Sequence, residues 1–148
     1  MKNHSGFTLI ELMVTIAVLA ILAAIAIPNA VRWLDNQELN AAAREMHQFI
    51  QDTRIKAVKE NTPMDIVFDN NNNRYHIEYK DRLTQNKVER SWKELTAGIT
   101  MNADVGVLTF NSKGMTNQMG ETAVTLNGPG NRTLQVTVKI SGISQISG

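Results

Sequence analysis

From Phe7 to Ile27 the chain is apolar, and Glu11 is its one ionisable side chain. At 1.5 Å per residue, roughly 20 such residues span about 30 Å, the thickness of a bilayer's hydrocarbon core. A helix greasy on every side needs an apolar surround, either lipid or the interior of an assembly. Setting the segment aside leaves about 120 residues, enough for one modest globular core. The expected organisation is therefore one membrane element followed by one domain.

The apolar run alone also fits a secretory signal. Lys2 supplies a positive start, and Ala24-Ile25-Ala26 has the small-x-small form of a cleavage site, which would leave a chain beginning at Ile27. The run is long for that purpose, and Glu11 sits awkwardly inside it. An ionisable group in hydrocarbon costs a few kcal/mol unless it finds a partner, so Glu11 points to a function. A cut between Gly6 and Phe7 would create a charged amine about one turn from Glu11. In a bundle of such helices, the amine of an incoming copy meeting Glu11 of a seated one would fix axial register, because either charge is expensive unpaired.

Past the run, Pro28 lacks the donor for a helical bond and is expected to kink the helix. The apolar positions Val31, Leu34, Leu39, Ala42, Met46, Phe49, Ile50, Thr53 and Ala57 then recur mostly every three or four residues, which predicts an amphipathic continuation. Asn61 and Pro63 are stop signals, so residues 7–60 would form a helix of ~80 Å. Trp33 and Arg32 suit the bilayer interface, and packing between helices suits Trp33 equally.

Residues 61–148 read as β. Met64 to Phe68 and Arg74 to Tyr79 flank Asp69-Asn70-Asn71-Asn72-Asn73, whose asparagines tolerate left-handed conformations and predict a hairpin. Further strands are expected at Val88 to Trp92, Ile99 to Met101, Val107 to Phe110, Thr122 to Leu126, Thr133 to Ile140 and Ile143 to Ile146. The expected fold class is α+β: a long N-terminal helix packed on antiparallel sheets.

Little in the chain suggests catalysis. Fifteen Lys+Arg stand against fourteen Asp+Glu, a net charge of +1 that steers toward neither nucleic acid nor anionic lipid, and there is no cysteine. Asp69-x-Asn71-x-Asn73 begins like a calcium loop, but its sixth and twelfth positions are Arg74 and Lys80. His47 falls on the helix and His76 in a strand with no clustered ligands, so a zinc site has no sequence support, and no nucleophile elbow or phosphate loop occurs. The reading is no enzyme, no metal site and no cofactor.

The string Gly6-Phe7-Thr8-Leu9-Ile10-Glu11-Leu12, behind the short polar leader Met1 to Gly6, resembles the class III signal of type IV pilins and type II secretion pseudopilins. The resemblance implies that a prepilin peptidase cuts after Gly6 and methylates the amino group of Phe7. The segments "IQDTRIKAVKENTPMDIVF", "GVLTFNSKGMTN" and "LQVTVKISGISQI" resemble minor pilins and pseudopilins of the GspH/FimT type, which implies a two-sheet pilin-like β domain. It implies leader residues 1–6, a transmembrane and fibre-core helix over 7–27, an amphipathic continuation over 28–60 and a periplasmic domain over 61–148. The implied protein is a single-pass bacterial inner-membrane subunit, with other pilins and the inner-membrane assembly platform as partners. Its implied work is to initiate or cap a pilus or pseudopilus.

One branch of that family takes up DNA through a G-R-x-R stretch. Here the matching residues are Gly142-Ile143-Ser144-Gln145, with Ile143 and Gln145 in place of the arginines. A DNA receptor would then have to rely on Lys80, Arg82, Lys87, Arg90 and Lys93 clustering in the fold, and nucleic acid is not the expected partner.

Overall fold

The computed structural model describes residues 7–148, so the leader, with Lys2 and the expected cleavage residue Gly6, lies outside the described residues. The chain divides into two compact units, Met1–Leu34 and Asp35–Gly148. Helix α1, Leu9–Lys59, contributes to both and runs through Pro28 without a break in its assignment. In the first unit every described residue is exposed apart from half-buried Ala23.

In the second unit, α1 buries Leu39, Ala42, Ala43, Met46, Ile50, Thr53 and Ala57, a stripe at helical spacing. Val31 and Leu34, which the periodicity would include, are exposed and belong to the first unit. The helix stops by backbone chemistry. Asn61 takes a left-handed φ of 47°, its N–H donates to Val58 O, and Thr62 N–H donates to Ala57 O. That pair of bonds is a Schellman cap, which asparagine tolerates better than most residues.

Strands β1 (Met64–Asp69), β2 (Arg74–Lys80), β3 (Lys87–Glu89), β4 (Lys93–Glu94) and β6 (Val107–Phe110) form one sheet. Its order is β3-β2-β1-β6, with β4 pairing β2 farther along the same edge. Strands β5 (Thr100–Ala103), β7 (Thr122–Asn127), β8 (Thr133–Val138) and β9 (Ser144–Ser147) form the second, in the order β5-β7-β8-β9. All pairings are antiparallel. The helical stripe and the inner faces of both sheets make one core: Ile66 and Phe68 from β1, Tyr75 and Ile77 from β2, Leu108 and Phe110 from β6, Val124 and Leu126 from β7, Val136 and Val138 from β8. Met46 and Ile50 at its centre are fully buried, each worth about 1.5–3 kcal/mol over an exposed side chain.

Strands β5 and β9 begin one residue later than expected, and two other regions differ more. The region read as Val88 to Trp92 is the short β3, followed by Arg90 N–H bonding Ile77 O and then β4, whose Lys93 and Glu94 carry no apolar signal. Strand β8 ends at Val138 rather than Ile140, because Lys139 N–H donates to Ile143 O and Gly142 N–H to Lys139 O, closing a turn into β9.

The asparagine loop joins the sheets as well as turning the hairpin. Asn73 Oδ1 accepts from Met101 N–H at 2.9 Å. Asn70 Oδ1 accepts from Ala103 N–H at 3.0 Å and its Nδ2 donates to Ala103 O at 3.1 Å. Side-chain amides thus serve the edge of β5 as a further strand would.

Candidate functional site

At the start of α1, Thr8 precedes the first helical residue and Glu11 follows three residues later. Glu11 Oε2 accepts from Thr8 N–H and from Thr8 Oγ1–H, each at 2.9 Å, while Glu11 N–H donates to Thr8 Oγ1 at 3.3 Å. This reciprocal arrangement is a capping box, and it satisfies helix-end donors that lipid cannot. Both bonds end on the same carboxylate oxygen, and Oε1 has no partner among the described residues. The carboxylate is therefore oriented by its own chain with one oxygen open to a second donor.

The sequence reading gave Glu11 a partner in the amine of a processed Phe7 and overlooked Thr8. The T-x-x-E spacing carried the signal for it. Phe7, Ile10, Glu11, Val14 and Thr15 line one shallow concavity, as i,i+3 and i,i+4 neighbours on a helix do. Thr15 donates to Leu12 O at 2.8 Å, so its hydroxyl needs no solvent. The most apolar window of α1 has a mean hydropathy of 2.7 with none of it buried, so the helix is long and apolar enough to cross a membrane. Pro28 and exposed Trp33 lie in the same first unit.

On the outer face of the first sheet, His76 meets Glu78, two residues on along β2, and through the β2–β3 pairing also Glu89. Its Nε2 lies 2.9 Å from Glu78 Oε1. Glu78 Oε2 is 2.9 Å from Lys87 Nζ, which is 3.0 Å from Glu89 Oε1. The Glu78↔Glu89 register brings in the second carboxylate, and potential ligand atoms of His76, Glu78 and Glu89 fall within 4.8 Å of one another. The Lys87 ammonium already bridges the two carboxylates. His76 Nδ1 is buried and unpartnered, so a metal on Nε2 would shift the ring proton to a nitrogen with no acceptor. The group is a charge network packed under Trp92, whose ring lies 3.7 Å from the imidazole.

Lys87, and secondarily His76, holds the Glu78 carboxyl below its ordinary range, and Glu78, then Glu89, raises Lys87. A depressed carboxylate contributes stability above its unfolded-state pKa, about 4.3, and loses it as pH falls through the folded value. The stability gap between wild type and Glu78→Gln, measured by urea unfolding, is therefore expected to shrink below pH ~4.3. A gap that stays constant down to the acid-unfolding limit would refute the linkage.

Of the other cations considered for DNA, Lys93 alone has a carboxylate partner at ion-pair distance among the described residues, and Lys80, Arg82 and Arg90 have none. Lys93 pairs with Glu45 at 2.9 Å, and Lys80, Arg82 and Lys87 share a cleft of about 430 Å³ with Asp65 and Glu78. At the position matched to G-R-x-R, Gly142 makes the β8–β9 turn and Gln145 is exposed. His47 and Gln51 on α1 hold this turn through Ser144 O at 3.1 Å and Ser144 Oγ at 2.7 Å.

Comparison with known proteins bears on both parts of the chain. Residues 1–27 match the prokaryotic N-terminal methylation motif, and residues 42–142 match type II transport protein GspH. Over 29 residues the chain is 66% identical to the type IV wide pilus major component PilA4 of Thermus thermophilus, 20% of this chain and 22% of that relative. The match thus spans under a quarter of PilA4's length. Among solved structures, the type IV minor pilin FimU of Pseudomonas aeruginosa aligns with a TM-score of 0.63 at 17% identity, over 78% of this chain and 92% of that one. The minor pseudopilin EpsH of Vibrio cholerae gives 0.62 at 13% identity, over 75% and 97%. The fold is that of these pilin-like proteins.

Proposed function

The chain belongs to the family of type II transport protein GspH, and on that premise we propose that it is a structural subunit, a minor pilin or pseudopilin that helps initiate or cap a type IV pilus or a type II secretion pseudopilus. The observation that carries this reading is the start of α1: an exposed apolar segment long enough for a bilayer, opened by an oriented carboxylate with one oxygen unpartnered among the described residues. Such a helix exchanges lipid for a bundle of like helices at little cost, since both media are apolar. In this reading a prepilin peptidase removes residues 1–6 and methylates Phe7. The mature chain waits in the inner membrane with its β unit in the periplasm. At the assembly platform its amine is handed to Glu11 of a seated subunit.

Intact mass and N-terminal sequencing of the protein recovered from membranes test the reading. The expected species begins at N-methylated Phe7, whereas a chain beginning at Ile27 would make the segment a discarded signal and overturn it. DNA uptake has less behind it: Lys87 and Lys93 are engaged by carboxylates, and Ile143 and Gln145 offer phosphate no charge.

A further inference from the structure

Sheet edges invite foreign strands, and proteins usually guard them. In this domain the guards can be identified one edge at a time. On β5, Asn70 takes the outward N–H and C=O of Ala103, and Asn73 takes the N–H of Met101. On β6 the outward carbonyls are taken by the segment that follows it, which lies along that edge: Asn117 N–H donates to Thr109 O, Gln118 Nε2 donates to Val107 O, and Phe110 bridges to Thr116. Strands β3 and β4 carry Lys87, Glu89, Lys93 and Glu94, charges that disfavour strand addition.

Strand β9 carries no charge, and among the described residues it has no cover beyond its first residue. The Lys139–Ile143 bond sets the alternation along the β8–β9 ladder, so Gln145 and Ser147 bond toward β8 while Ser144 and Ile146 aim N–H and C=O outward. Ser144 O is held by His47. The N–H and C=O of Ile146 have no partner among the described residues. Its side chain lies opposite fully buried Val136 on the core face, yet it is 41% exposed, with no further strand beside β9 among the described residues.

We propose that β9 is a docking edge, and that an uncharged extended segment of a neighbouring subunit adds to it, pairing through Ile146 and covering the Ile146 side chain. This rests on the subunit reading above. Outward N–H and C=O groups call for main chain, the lack of charge on β9 calls for an uncharged segment, and the bare flank of Ile146 calls for an apolar side chain. Fibres grow by heterologous contacts, in which a surface meets a different surface of the next subunit, so the donated segment is not another β9.

Ile146→Pro tests the proposal, because it removes an outward N–H while leaving the β8 ladder intact. The full chain is expected to keep its melting temperature within a few degrees of wild type but to enter assemblies at least tenfold less, while Ile146→Val enters normally. Amide exchange of wild-type residues 143–148 supplies a second readout that needs no variant. Ile146 should exchange fast in the purified full chain in detergent at any protein concentration, and at least tenfold slower in assembled material. Wild-type incorporation of Ile146→Pro, equal exchange in both states, or protection that grows with concentration of the purified chain would each overturn it, the last by showing a second copy on the edge. Absence of the wild-type chain from every assembly would instead overturn the subunit reading itself.

Discussion

A Glu11→Val chain is expected to insert in the membrane and fold its β unit as wild type does, yet to be recovered in assemblies roughly 100-fold less. The expectation follows from what valine leaves behind. In the proposed docking step the incoming amine would then enter an apolar bundle with no counter-charge, and breaking a buried pair from one side costs about 3–5 kcal/mol. Valine also abolishes the capping box, because Thr8 N–H and Thr8 Oγ1 both donate to Glu11 Oε2. A lost cap costs about 1 kcal/mol, which falls well short of the assembly defect. Thr8→Val separates the two contributions: it deletes the hydroxyl bond and keeps the carboxylate, so its assembly should stay within about tenfold of wild type. Quantitative blotting of membrane and fibre fractions reads both variants. Wild-type incorporation of Glu11→Val would remove Glu11 from the docking step and leave the capping box as its whole role.

What could be read from the residues beforehand divides by range. Strand β8 was legible because Leu134, Val136 and Val138 alternate with Thr133, Gln135 and Thr137, and the fold buries that apolar set. The end of α1 was legible because Asn61 and Pro63 act within one turn of it. Glu11 was conspicuous because a charge in an apolar run has few neutral explanations. Illegible features depend on register between distant segments. The asparagine loop predicts a hairpin, but nothing local says that Asn70 and Asn73 serve β5 some thirty residues later. His76 and Glu78 are neighbours on one face by period two, whereas Glu89 joins them only through the β2–β3 pairing. Strand β4 forms from Lys93 and Glu94 because Arg74 and Tyr75 leave edge groups to be paired, a demand set by β2 alone. Open edges are equally a property of the finished sheet, which is why β9 gave no hint of docking in its residues.

Gly142→Ala is expected to destabilise the β unit by about 4 kcal/mol, the sum of left-handed strain and at least one disrupted buried contact. Gly142 has φ +79° in the turn between β8 and β9, a conformation that costs a residue with Cβ about 1–2 kcal/mol. A Cβ there would also collide with Gly114 O and press on the Arg54 side chain. Arg54 Nε donates to that same Gly114 O at 2.9 Å, and Gln51 Nε2 donates to Gly142 O at 3.2 Å. Relief by backbone movement would therefore loosen two bonds that tie α1 to the turns of both sheets. Gly106→Ala is the matched control, since a Cβ there meets nothing within 4 Å and its φ is not left-handed; it should shift stability by less than about 0.5 kcal/mol. Urea unfolding of the full chain in detergent, followed by tryptophan fluorescence, compares the two. If Gly142→Ala matched Gly106→Ala, the turn would be plastic, and this glycine would have no structural claim on its position.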